Sequence, residues 1–129
     1  MKIVNQPPPN YEEIKKYFPV ADFYKGTLFT YGDTCYCLSI TPDLLIHEET
    51  HVKQQVHPEE WWQRYFTDIP FRISQEVEAY RNQYQWAKKN WKDRNQVARL
   101  LHKIVLDLSG DLYGKVVSRT EAKKLISRL

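Results

Sequence analysis

The sequence predicts one α+β domain over residues 1–129, a small three-stranded sheet packed on a succession of helices. Three observations carry this expectation. Between Val20 and Ile40, β-branched and aromatic residues are punctuated by Gly26 and Gly32-Asp33, whereas beyond Thr41 apolar residues recur at intervals of three and four. A chain of 129 residues is too short for two independent cores. Its 42% hydrophobic and 14% aromatic content supplies the apolar surface that one core needs and excludes a disordered chain.

The elements follow in order. Pro7-Pro8-Pro9 ends an extended lead, and Asn10 is placed to cap a short helix that Pro19 stops after Phe18. Val20 to Ile40 reads as two or three short strands joined by tight turns. The last, Thr34 to Ile40, sets Tyr36, Leu38 and Ile40 on one face and Cys35, Cys37 and Ser39 on the other. Thr41-Pro42-Asp43 is a strong helix start, since Thr41 can cap, Pro42 loses no hydrogen bond at the first position and Asp43 suits the positive end of the dipole. That helix runs to about Gln55. Pro58 opens a short helix bearing Trp61, Trp62, Tyr65 and Phe66, and Pro70 begins a long one reaching about Trp91. Asp93 restarts the pattern, and Val97, Leu100, Leu101, Ile104, Val105 and Leu108 form an amphipathic stripe ended by Ser109-Gly110. Ser118 and Glu121 have capping-box spacing for a final helix.

Several function classes recede at this stage. No apolar run approaches the roughly 20 residues of a membrane span, and a proline run stands where a secretion signal would carry its apolar core. A cytoplasmic or virion-associated protein is expected. Two cysteines, Cys35 and Cys37, are too few for a disulfide framework or a cysteine zinc site, and read as small buried hydrophobes. A formal charge of +3 from 19 basic and 16 acidic residues does not call for nucleic acid. Binding through Trp86, Lys88, Lys89, Trp91 and Lys92 would need a one-sided basic patch with exposed aromatics, and the helix pattern buries Trp91.

The chemistry concentrates in the helix after Pro42, where His47-Glu48-Glu49-Thr50-His51 matches H-E-x-x-H. Residues four apart project from one side of a helix, so both imidazoles can reach one tetrahedral zinc while Glu48 addresses its water. A catalytic zinc takes a third protein ligand. His57 stands at the metzincin offset, but Gln54 occupies the position where that pattern requires glycine, and Met1 is the only methionine available for a methionine turn. In the long helix Ile73, Glu76, Val77, Tyr80, Tyr84, Ala87 and Trp91 share a stripe, which makes Glu76 an acid on an otherwise apolar face. A carboxylate there is costly unless a cation meets it, and a metal held by two histidines would be that cation. Glu78 falls among Ser74, Arg81, Gln85 and Lys88 on a polar face. Glu76 is therefore the expected third ligand.

His47-Glu48-x-x-His51 followed by a second helix with Glu76-x-x-Ala79 resembles a gluzincin-type zinc metallopeptidase. The order of leading helix, small sheet, active-site helix and glutamate helix is similar to the minimal single-domain minigluzincins, and the match spans about Asn10 to Trp91. The stretches His51-Val52-Lys53-Gln54-Gln55 and Glu78-Ala79-Tyr80-Arg81 also resemble zincin-like proteins of tailed bacteriophages. The resemblance implies a zincin-like fold with additional C-terminal helices, zinc on His47, His51 and Glu76, and Glu48 as general base. One departure is visible: many gluzincins carry an aspartate four residues after the ligand glutamate to orient the first histidine, and this chain has Tyr80.

The function so implied is hydrolysis of peptide bonds by metal-activated water, with a peptide or protein as substrate. The strand from Thr34 would offer a sheet edge for an extended peptide. Tyr80, Tyr84, Tyr113 and His102 are the second-shell and oxyanion-donor candidates. The alternative is a zincin-fold structural or assembly protein, for instance of a phage particle, that keeps the fold without useful turnover and has an assembly partner instead of a substrate.

Overall fold

The computed structural model describes residues 1–127. Strands β1 (Lys2–Val4), β2 (Phe29–Tyr31) and β3 (Thr34–Tyr36) form a mixed sheet in the order β1-β3-β2. β2 and β3 are a hairpin whose turn is Gly32-Asp33, and Gly32 takes a φ of 65°, a region that a β-carbon would strain. β1 runs parallel to β3 with Ile3 opposite Cys35, so the extended lead supplies the third strand. Three residues are too few for alternation to show, and parallel pairing to a strand thirty positions on leaves no local mark.

This pairing corrects two expectations. β3 is the central strand, not an edge, because both of its sides are taken by β1 and β2. It also stops at Tyr36, after which Cys37 N–H donates to the Val4 carbonyl at 3.1 Å and Leu38 lies exposed. Upstream, Phe23–Lys25 is a 3-10 turn instead of a strand. The Asp22 carboxylate accepts from Tyr24 N–H at 2.9 Å and Gly26 closes the turn at a φ of 100°, a local bond that competes with the sheet ladder. Cys35 and Cys37 are buried free thiols.

The helices are α1 (Tyr11–Tyr17), α2 (Pro42–Gln54), α3 (Pro58–Thr67), α4 (Ile69–Asn90), α5 (Arg94–Ser109) and α6 (Arg119–Ser127), with a second 3-10 turn at Asp111–Tyr113. Asn10 and Thr41 occupy the N-cap positions of α1 and α2, but neither side chain bonds the helix backbone. The Thr41 hydroxyl instead donates to Asp43 Oδ1 at 2.7 Å. Asp68 and Asp93 cap α4 and α5 through their carboxylates, and Ser118 Oγ accepts from Glu121 N–H at 3.1 Å before α6. Among the described residues no helix is long and apolar enough to cross a membrane.

Burial divides the interior into two clusters. Ile14, Phe18, Phe29, Trp62, Tyr65 and Phe66 join α1, the hairpin and α3. Val77, Leu100, Ile104, Leu108, Ala122 and Ile126 join α4, α5 and α6. Leu112, in the second 3-10 turn, packs against both. Helix α2 lies most closely against α4, at the seam between the clusters. At its end Gln55 is buried and occupies the outer edge of β2: its Nε2 donates to Thr30 O at 2.9 Å and its Oε1 accepts from Gly32 N–H at 2.8 Å. Trp62 Nε1 adds a bond to Thr30 O at 3.1 Å.

The second cluster fixes a stability expectation. Leu108 is fully buried while Leu106, two positions earlier, is 37% exposed. Leu108→Ala is expected to lower unfolding free energy by about 3 kcal/mol, and Leu106→Ala by less than about 1 kcal/mol, in urea titrations followed by tryptophan fluorescence. Equal losses at the two sites would contradict the assignment of α5's inner face.

Candidate metal centre

Helical spacing in α2 puts His47 and His51 one turn apart on the side that meets α4, and the inward stripe of α4 delivers Glu76 to the same point. His47 Nε2 and His51 Nε2 are 3.2 Å apart, and Glu76 Oε1 is 3.3 Å from each. All three residues are buried. Three corners of a tetrahedron around an ion at about 2.0 Å, the usual zinc–ligand distance, are separated by about 3.3 Å, so the triangle fits such a site. Glu76 Oε1 is also a buried acceptor with no hydrogen-bond partner among the described residues, which is costly without a cation. His47, His51 and Glu76 are thus a group of donors that could hold a metal ion.

The remaining atoms of these side chains are engaged. Tyr65 donates its hydroxyl to Glu76 Oε2 at 2.6 Å. His47 Nδ1 lies 3.1 Å from Gln83 Oε1, and Gln83 Nε2 donates to Asp43 Oδ2 at 2.7 Å. His51 Nδ1 lies 2.7 Å from Gln54 Oε1, and Gln54 Nε2 donates to Glu78 Oε1 at 2.8 Å and to Gln75 O at 3.0 Å. Glu48 is buried beside the triangle, with Oε2 3.9 Å from His47 Nε2, and makes no side-chain hydrogen bond among the described residues.

The other residues singled out by sequence are dispersed. Tyr80 packs its ring edge-on to His47 at 4.4 Å and hydrogen-bonds Tyr113 through the two hydroxyls at 2.8 Å, so Gln83 and not Tyr80 holds His47. Tyr113 is buried and held from its main chain by the buried Arg72, which donates to Tyr113 O at 3.4 Å and to the α3 carbonyls of Tyr65 and Phe66 at 2.9 Å each. Tyr84 lies in the α4–α5 cluster under Lys88, and His102 is exposed on α5; neither borders the triangle. His57 is exposed at the start of α3, and Glu78 is exposed and reaches the centre only through Gln54. Trp86 and Trp91 lie edge to face with each other and pack against the second cluster.

Tyr65, Gln83, Gln54 and Asp43 are site residues that the sequence reading missed. Two of them had a signal. Gln83 lies seven positions, two helical turns, beyond Glu76 on the same inward stripe, and Asp43 lies one turn before His47. Tyr65 and Gln54 had none beyond belonging to helices that fold against the centre.

Burial and mutual charge set the ionisation. Burial alone would raise the Glu76 carboxyl, but the adjacent His51 and His47 hold it well below the usual carboxylate range. Burial would lower His51, yet the adjacent Glu76 charge pushes it up to about 9. Glu48 is raised by burial, against the pull of the two histidines. The Tyr65, Tyr80 and Tyr113 hydroxyls are driven well upward by burial and by Glu76, so all three stay protonated donors. Burial and the Glu48 charge likewise keep the Cys35 thiol protonated.

Two spaces meet at the triangle. A cavity of about 70 Å³, lined by Ile14, Phe18, Phe29, Thr30, Trp62 and Leu112, lies on the side of the first cluster. On the other side an open groove runs past Lys25, Thr27, Leu28, Lys103 and Tyr113 and shares His47 and Glu48 with the cavity. Comparison of the chain with protein families, with curated proteins and with solved structures gives no match.

In the metal-free protein His51 carries a proton below about pH 9, and a metal requires its Nε2 lone pair. Metal binding is therefore expected to release about one proton per site, with affinity rising about tenfold per pH unit between pH 6 and 8 in chelator competition. An affinity flat over that interval would contradict the pairing of His51 with Glu76.

Proposed function

We propose that this chain is a zinc-dependent peptidase of gluzincin type, with the metal on His47, His51 and Glu76 and Glu48 as general base. The observation that carries the reading is Glu48: a buried carboxylate without a side-chain hydrogen bond among the described residues, beside the donor triangle and lining the cavity and groove. A purely structural zinc site has no use for such a base. Two imidazoles and one carboxylate are a donor set that zinc accepts with a position left open. Bound zinc supplies a Lewis acid that polarises a carbonyl and makes water acidic near neutral pH.

The protein's own groups do the rest. Glu48, its carboxyl raised by burial, takes a proton from the attacking water and passes it to the leaving amine. Tyr80 and Tyr113 share one hydrogen bond between two hydroxyls, which leaves one O–H free to donate to a developing oxyanion; Tyr113 borders both cavity and groove and is the better placed. With β3 central and Gln55 on the outer edge of β2, an extended peptide is left the stretch just before β2. The main-chain N–H and C=O of Leu28 are unpaired among the described residues, and Leu28 lines both spaces.

One observation favours the second reading, a zincin-fold structural or assembly protein with a partner in a larger particle. His47, Glu48, His51 and Glu76 are each no more than 6% exposed, so the centre is nearly closed to a polypeptide. Glu48→Gln separates the two. It is expected to keep zinc and fold while lowering peptide-library cleavage at least 100-fold, because an amide preserves shape and takes no proton. Cleavage within a few fold of the parent removes Glu48 from the mechanism, and no cleavage by the zinc-loaded parent favours the assembly reading. Glu76→Gln is expected to weaken zinc by an order of magnitude or more, and His57→Ala to leave it unchanged, in chelator competition.

A further inference from the structure

We propose that Gln83 and Gln54 are positioning residues that lock both metal-facing imidazoles in the Nδ1–H form, each directed by a carboxylate one hydrogen bond further out. The proposal rests on the metal reading of His47, His51 and Glu76 and deepens it. The logic lies in what each group can accept or donate. An ionised carboxylate only accepts, so Asp43 and Glu78 fix which end of each amide turns toward them, the NH₂. The amide oxygen is then left for the histidine, at 3.1 Å in His47–Gln83 and 2.7 Å in His51–Gln54. An amide oxygen only accepts, so each Nδ1 must carry the hydrogen. Nε2 is thereby the nitrogen whose lone pair a metal takes, in His51 once its second proton is released.

Both relays start from α2 and keep the same order of histidine, glutamine and carboxylate, but the first passes through Gln83 on α4 back to Asp43 on α2, whereas the second passes through Gln54 on α2 to Glu78 on α4. They differ in burial. Gln83 and Asp43 are buried, and Asp43 is anchored in turn by the Thr41 hydroxyl at 2.7 Å, whereas Gln54 is half-buried and Glu78 exposed. The first relay is a rigid support for His47. The second is open to water and holds His51 more loosely, with Gln75 O as a further acceptor for the Gln54 amide. Because each Nδ1 meets a neutral amide, Asp43 and Glu78 reach the ligand rings only through Gln83 and Gln54.

The test uses the full chain loaded with cobalt(II) or zinc(II). Nε2 ligation with Nδ1–H held in a hydrogen bond gives two paramagnetically shifted, solvent-exchangeable proton resonances in the cobalt protein, the His47 one exchanging more slowly. Gln83→Met removes the amide at similar volume and is expected to weaken cobalt and zinc at least tenfold and to broaden or lose the slow resonance. Gln54→Met, on the half-exposed end of α2, is expected to weaken them severalfold and to affect only the faster resonance, and it keeps the idea testable should Gln83→Met fail to fold. Asp43→Asn frees the amide to turn over and is expected to weaken binding about threefold or more. Adding Gln83→Glu to Asp43→Asn restores an ordered donor and acceptor pair, and affinity is expected to recover to the parent level, which packing alone would not produce. Affinities within twofold of the parent in both methionine variants, or a cobalt protein with no exchangeable shifted resonance, would overturn the proposal. A parent that binds neither metal overturns the metal reading itself and this inference with it.

Discussion

Glu76 must be buried and must be ionised, and nearly everything else at the centre follows from meeting both conditions. A carboxylate removed from water costs several kcal/mol unless positive charge and hydrogen bonds replace its hydration. One oxygen is satisfied by Tyr65, which ties α3 to α4, and the other points at two imidazoles of α2. The pairing of α2 with α4 is thus as much electrostatic as apolar. It explains why α2, with mostly polar inward residues, can sit at the seam between two hydrophobic clusters.

Much of this was legible in the sequence because helices write their geometry locally. The spacing of His47, Glu48 and His51, and the placement of Glu76 against Glu78 on one turn of α4, follow from 3.6 residues per turn. The sheet was less legible. A three-residue strand such as β1 has no period, and its parallel partner lies far along the chain, so β3 could be taken for an edge until β1 was seen beside it. The hydrogen-bonding shell was least legible of all. Gln54 and Gln83 are ordinary residues whose role depends on which atoms fold next to them, and Tyr80 occupies the sequence position of an orienting acid while Gln83, three residues on, does that work in space.

The region beyond Trp91, outside the family resemblance, is bound into the centre. Leu112 packs against both clusters, Tyr113 is pinned by Arg72 and by Tyr80, and Gly114 closes the turn at a φ of 89°. Arg72 is a buried cation without a carboxylate partner among the described residues; it is compensated by three carbonyls and by the faces of Phe18 and Tyr65. The second 3-10 turn, with the inner face of α5, therefore completes the wall of the spaces at the centre.

The occupied edge of β2 bears on how copies of this chain behave at high concentration. A side-chain amide that both donates to Thr30 and accepts from Gly32 imitates a neighbouring strand, so Gln55 ends the sheet from within. Ribbon-to-ribbon growth between molecules needs a row of free main-chain groups, and on this flank the Thr30 carbonyl and the Gly32 N–H are already taken. The opposite flank, β1, is three residues long, with Lys2 set against Asp33 at 4.0 Å. A small sheet that lacks long open borders gives a second copy little to template on, while the hairpin that frames the centre is kept.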